Sequence, residues 1–219
     1  MKTNKGAILV LNLTLCVIFT QIDQAQLLKN YGFKAGVTSS GISVRQQYYD
    51  LGRRTGMNIG VFAEWLNSQY LSIVTEINYN QRGFIEEMSE ENNAGVFIQR
   101  VKANTRLDYL SIPLFAKLQL PLNGMIPYIV AGPRIDFLLN RSVGVFRFSW
   151  ATAESPLAKE YRSQSVGGTI GLGIETDQLA PLPIFLEVHY DFDVTNSARE
   201  IPMEVYNNSI DVSVGVKIK

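Results

Sequence analysis

His189 is the one histidine of this 219-residue chain, and it stands in IFLEVHYDFD between Glu187 and Asp191. Residues two apart on a strand share a face, so three consecutive same-side groups could set an imidazole against a carboxylate, the pairing of a general base. A catalytic reading needs a hydroxyl nucleophile as well, and no serine is visibly fixed beside His189. The other reading is a histidine satisfied by hydrogen bonds in a closed interior. Other chemistry finds little support. There is no G-x-x-x-x-G-K-[ST], no H-E-x-x-H and no G-x-S-x-G. One histidine, with Cys16 the sole cysteine, cannot assemble the usual zinc ligand set, so no metal is expected. The run VGGTIGLGIE (166–175) lacks the third glycine and the helix of a dinucleotide loop, and no cofactor is expected either; its glycines read as room inside a barrel. The acidic EEMSEENN lacks the regular ligand spacing of a calcium loop and reads as a solvated charge run.

The elements that would position His189 have a period of two. Ile184, Leu186, Val188, Tyr190 and Phe192 alternate with Phe185, Glu187, His189, Asp191 and Asp193, and SIDVSVGVKIK repeats the pattern to the end of the chain. The same template predicts further strands near 31–38, 55–66, 70–82, 97–120, 126–140 and 164–176, eight in all, with no helical stripe. Connections alternate between short (NSQ, PLNGM, DQLAPLP) and long (39–56, 83–95, 141–163, 194–208). An up-and-down barrel places every second connection at the same end, so one rim has tight turns and the other long loops, as outer-membrane barrels do.

A soluble barrel alternates too, with its faces exchanged. Strands of about 10 residues or more are long enough to cross a bilayer when tilted. Their polar face is small residues with sparse charges of both signs, suited to filling a narrow lumen rather than coating a surface. The predicted fold is all-β: an eight-stranded antiparallel up-and-down transmembrane barrel. The predicted interior polar network is Glu76, Arg106, Asp108, Lys117, Arg134, Asp136, Glu175, Glu187, His189, Asp191 and Lys217. Trp65, Tyr70, Tyr79, Tyr128 and Tyr190 lie toward strand ends, where interfacial aromatic girdles occur. Residues 1–25, with two lysines, an apolar stretch and then a polar segment, read as a secretory signal peptide, leaving 26–219 as the barrel domain. Twenty basic residues balance twenty acidic ones, so nucleic acid is not an expected partner.

The order GFKAG, TGMNIGVFAEWL, SIVTEINYNQRG, RLDYLSIPLFAKLQLP and PYIVAGPRIDFLL resembles the PorT-type outer-membrane β-barrel domain proteins across nearly the whole mature chain. The resemblance rests most on Glu76, on Asp108 to Pro113 and on Ala131 to Leu139. It implies a small outer-membrane barrel, and one namesake member is linked to secretion of exported proteases. The expected protein is therefore a non-catalytic barrel of the bacterial outer membrane with both termini periplasmic, a structural or accessory component of the envelope or of protein secretion. Its expected partners are outer-membrane lipid and other envelope or secretion proteins reached through the long loops. Two rivals are a lipid-modifying enzyme centred on His189 and a secreted soluble barrel binding an apolar ligand.

One stretch breaks the pattern. In RLDYLSIPLFAKL the apolar residues are odd at Leu107 and Tyr109 but even at Leu110, Ile112 and Leu114, with Pro113 following. With Arg106 and Asp108 placed inward, an extra residue at the Tyr109–Leu110 step would exchange the faces, so a β-bulge is predicted between Tyr109 and Pro113.

Overall fold

The protein's structure, a computed structural model, describes residues 28–45, 51–66, 68–91, 97–145, 161–178, 180–197 and 204–218. The segment read as a signal peptide lies outside them. Eight strands form: β1 (Leu28–Arg45), β2 (Leu51–Trp65), β3 (Leu71–Glu91), β4 (Phe97–Gln119), β5 (Ile126–Val145), β6 (Gln164–Thr176), β7 (Ile184–Asp193) and β8 (Glu204–Ile218). Each pairs antiparallel with the next, and β8 closes on β1 from Tyr31↔Ile218 to Arg45↔Glu204. Closure leaves no unpaired edge, which is what a backbone in lipid requires, since hydrocarbon supplies no hydrogen bonds.

The two faces are inverted relative to a water-soluble protein. Val166, Ile170, Leu172 and Ile174 of β6 are exposed, as are Leu186, Val188, Tyr190 and Phe192 of β7 and Ile210, Val212 and Val214 of β8. Lysines, arginines, glutamates and aspartates fill the inside. An apolar belt this continuous fits only a lipid surroundings. No described helix is long and apolar enough to cross a membrane.

The strands run further than the sequence pattern predicts at the end with long connections. β1 and β2 pair up to Ser40↔Arg54, β3 and β4 to Glu91↔Phe97, and β4 and β5 to Ala103↔Val145. Past the apolar belt both faces meet polar surroundings, so alternation fades while the backbone ladder goes on. At the opposite end the hairpins are tight. Leu122 and Met125 exchange 2.8 Å backbone bonds around Asn123 and Gly124, and Gly124 sits at φ +79°, a conformation glycine adopts without a Cβ clash.

The bulge predicted in β4 is not there. Against β3 the register is unchanged from Glu90↔Gln99 to Leu71↔Leu118; pairing lapses only between Asn78↔Ser111 and Thr75↔Leu114, where Pro113 has no N–H to donate. The extra residue lies on the partner strand: Asp108 pairs with Asn140 and Tyr109 with Leu138, leaving Leu139 as a bulge in β5. Odd residues of β4 point inward all the way from Ala103 to Gln119. What reverses is the lumen, which is apolar around Leu107 and Tyr109 and polar around Ser111 and Lys117.

Candidate functional site

Among the described residues, the lumen concentrates ionisable groups, and strand parity puts them there in tiers. Nearest the tight turns, Lys217 of β8 lies 2.7 Å from Glu64 of β2 and also pairs closely with Glu175 of β6. Lys117 of β4 reaches the same two carboxylates at 3.6 and 3.3 Å, and its ammonium stands 4.1 Å from the centre of the Tyr128 ring. Lys29 closes the mouth on Glu64 at 3.4 Å.

An aromatic layer follows, made of Phe62, Val74, Phe115, Tyr128, Val130 and Phe185, with the Phe62 and Phe185 rings edge to face at 5.3 Å. Glycines on β6 make this layer possible. A Cβ on Gly173 would fall 2.2 Å from Tyr128 Cζ, and one on Gly171 2.3 Å from His189 Cδ2.

Above the rings, Lys34 of β1 bridges Glu76 (2.6 Å) and Glu187 (2.8 Å). The Tyr128 hydroxyl donates to Glu187 at 3.1 Å. His189 Nε2 is 3.4 Å from Glu187 Oε2, within ion-pair range but not aligned as a hydrogen bond, and its ring packs edge-on against Phe115 at 5.4 Å. The next tier is the most connected. Arg82 holds Asp136 at 2.8 Å and Asp191 at 2.6 Å; Arg134 holds Asp136, Asp191 and Asp193 at 2.8, 2.9 and 2.8 Å. Thr169, Ser209, Ser197 and Asn207 donate further bonds to Asp191 and Asp193. Ile42, Phe84, Leu107, Tyr109, Tyr161 and Val205 close the loop end as an apolar cap.

Nine of the eleven residues predicted to line the lumen are buried in these tiers: Glu76, Lys117, Arg134, Asp136, Glu175, Glu187, His189, Asp191 and Lys217. Arg106 is not buried, and Asp108, though buried, lies outside these tiers. Even positions of this part of β4 face outward, and there Arg106 grips Asp108 with Nε and Nη2 at 2.7 and 2.8 Å while Asn140 donates to Asp108 at 3.3 Å. The misplacement follows from expecting charge inside and apolar side chains outside, which the apolar cap inverts. Tyr128, read as a girdle residue, is likewise inside. Lys34, Glu64, Arg82, Asp193 and Asp211 are lumen charges that the sequence reading passed over. Parity would have found them: Arg82 is three alternations from Glu76 on β3, and Asp193 one from Asp191 on β7.

Chemically, most of these groups pair with one another, while Arg82 Nε, Asp136 Oδ1, His189 Nε2 and Asp211 Oδ1 have no hydrogen-bond partner among the described residues. Two cavities lined by described lumen residues have volumes of about 10 and 20 Å³, no more than single-water size. His189 Nε2 meets no hydroxyl among the described residues, and those residues contain no group of three or more His, Cys, Asp or Glu placed to hold a metal ion. The site defined by fold and side chains is thus the packed interior of a membrane-spanning eight-stranded barrel. The chain matches the family of outer membrane protein beta-barrel domains over residues 21–199 and belongs to it.

Solved structures similar to the chain include Ail, the attachment invasion locus protein of Yersinia pestis, at 9% identity and TM-score 0.43, covering 86% of this chain and 98% of that one. Neisserial surface protein A is similar at 13% identity and TM-score 0.45, covering 86% and 97%. The outer membrane enzyme PagL is similar at 14% identity and TM-score 0.43, covering 84% and 99%. No protein of curated function matches the sequence.

Proposed function

We propose that this protein is a non-catalytic barrel of the bacterial outer membrane with a closed lumen, acting as a structural or accessory component of the envelope or of protein secretion, in the manner of PorT-type barrels. Leu28 and Ile218, the first and last described residues, lie at the tight-turn rim, which is the periplasmic side in this reading, and the long hairpins stand outside to meet a partner protein. The observation that carries it is the lumen itself. Five bridging cations, Lys34, Arg82, Lys117, Arg134 and Lys217, lock strands from all around the barrel, and the spaces left between them are water-sized. A pore would need that space open, and a histidine base would need its nitrogen beside a nucleophile and within reach of substrate.

Two measurements test the reading together. Reconstituted in planar bilayers, the protein is expected to show no steady ion conductance, and cells carrying His189→Ala should keep an unchanged lipid A profile by mass spectrometry. A stable conductance, or a lipid A species lost with His189, would each replace this reading with the corresponding alternative. Co-purification from detergent-solubilised outer membrane, with and without the extended β3–β4 hairpin, identifies the partner.

A further inference from the structure

Above the aromatic layer the lumen has more carboxylates than cations. Among the described residues, the lysine and arginines of its two tiers there are Lys34, Arg82 and Arg134. They face six buried carboxylates: Glu76, Glu187, Asp136, Asp191, Asp193 and Asp211. Five of the six touch Lys34 or an arginine. Asp211 is in none of those ion pairs. It stands opposite His189 across the β7–β8 ladder, and Arg82, whose field reaches it, is held by Asp136 and Asp191.

A cavity between these tiers, of about 10 Å³, has room for one particle the size of a water molecule. Asn58, Asn78, Asn80, His189, Asp211 and Ser213 line it. Three of these, each more than nine-tenths buried, have an atom with no partner among the described residues: Asn78 Oδ1, Asp211 Oδ1 and His189 Nε2. The first two only accept. Asn78 Nδ2 donates to Glu76 at 2.8 Å, which fixes the oxygen end of that amide. The Ser213 hydroxyl donates to Asn58 Oδ1 at 3.0 Å and keeps its own lone pairs for a further contact. His189 Nε2, 3.4 Å from Glu187, is turned to that carboxylate and serves as wall. Lys34 and Arg134 also border the cavity, but each is outnumbered by the carboxylates that hold it.

We propose that this cavity binds one potassium-sized monovalent cation, with Asp211 Oδ1 and Asn78 Oδ1 as ligands and the Ser213 oxygen beside them. A hard cation takes oxygen ligands, and a carboxylate in a closed interior needs a positive charge close by. A divalent ion is less suited, because it favours several carboxylates and the described residues assemble no such group. A water molecule donates to both acceptors equally well but leaves the charge of Asp211 unmatched.

The test unfolds the full-length protein from detergent with urea, in potassium chloride and in choline chloride at equal ionic strength, so that screening is the same in both. With potassium at about ten times its dissociation constant, the folding equilibrium constant is expected to be about tenfold higher than in choline. Asp211→Asn, which keeps an oxygen in place and removes the charge, should abolish that difference while folding at least as well as the native protein in choline. Crystals of the native protein grown with thallium(I) acetate, a heavy monovalent stand-in for potassium, should show an anomalous peak beside Asp211 and Asn78. Stability in potassium no higher than in choline overturns the proposal and leaves water or a proton in the cavity. An Asp211→Asn variant that keeps the potassium dependence overturns it too. So do native crystals with no anomalous peak there, whatever the yield of the variant.

Discussion

Arg82 and Arg134 converge on Asp136 and Asp191 from opposite sides, and no other cation reaches Asp136 among the described residues. Removing Arg82 therefore leaves three carboxylates, Asp136, Asp191 and Asp193, to the single guanidinium of Arg134 in a closed interior. Arg82→Met is expected to cost about 3–5 kcal/mol, the usual penalty for leaving a buried charge without its partner. Lys117→Met should cost clearly less, because the two carboxylates it leaves, Glu64 and Glu175, keep two cations, Lys217 on both and Lys29 on Glu64. Urea unfolding in lipid vesicles measures both; equal losses would mean that the two tiers do not differ in redundancy. These residues also show what a sequence can and cannot reveal. Arg134 and Asp136 announce themselves by standing two apart in an apolar strand. Arg82 sits in NQRG, the last residue of the strand predicted at 70–82, where a neighbouring glycine imitates a turn, although its parity with Glu76 points it inward.

At the scale of the strand, the interior depends on pairing a missing side chain with a large one. Gly173 faces the lumen opposite the Tyr128 ring, and the two positions are cross-strand partners. Gly173→Ala is expected to destabilise the barrel by about 1–3 kcal/mol through overpacking, since the Tyr128 hydroxyl is held by Glu187 and the ring cannot simply swing away. In a Tyr128→Leu background the same substitution should cost much less, and this double-mutant cycle reads the contact directly. Additive losses would deny it. The glycine run was legible as room-making from its alternation. The bulge is not legible in the same way, because here hydrophobicity does not mark a face. Leu107 and Tyr109 are apolar and inside, against Phe84 and Tyr161, so the pattern reversed while β4 stayed regular and the extra residue fell on Leu139 of its neighbour.

For the molecule as a whole, stability divides between a wall facing lipid and a plug facing itself, and one kind of substitution separates them. Ile170 lies near the middle of the exposed apolar run of β6, while Gln164 lies on the same face at the rim. Arginine at Ile170 must bring its charge into hydrocarbon, whereas at Gln164 it can reach head groups or water. Ile170→Arg is expected to cost about 2–4 kcal/mol and Gln164→Arg about 0–1 kcal/mol, the depth dependence of a lipid-facing strand. Folding yields into vesicles and denaturant midpoints read both numbers. In a barrel holding an apolar ligand in water the outer face would instead be solvated, and both arginines would be nearly neutral. The ratio of the two losses thus measures the lipid environment of this surface independently of what the hairpins bind.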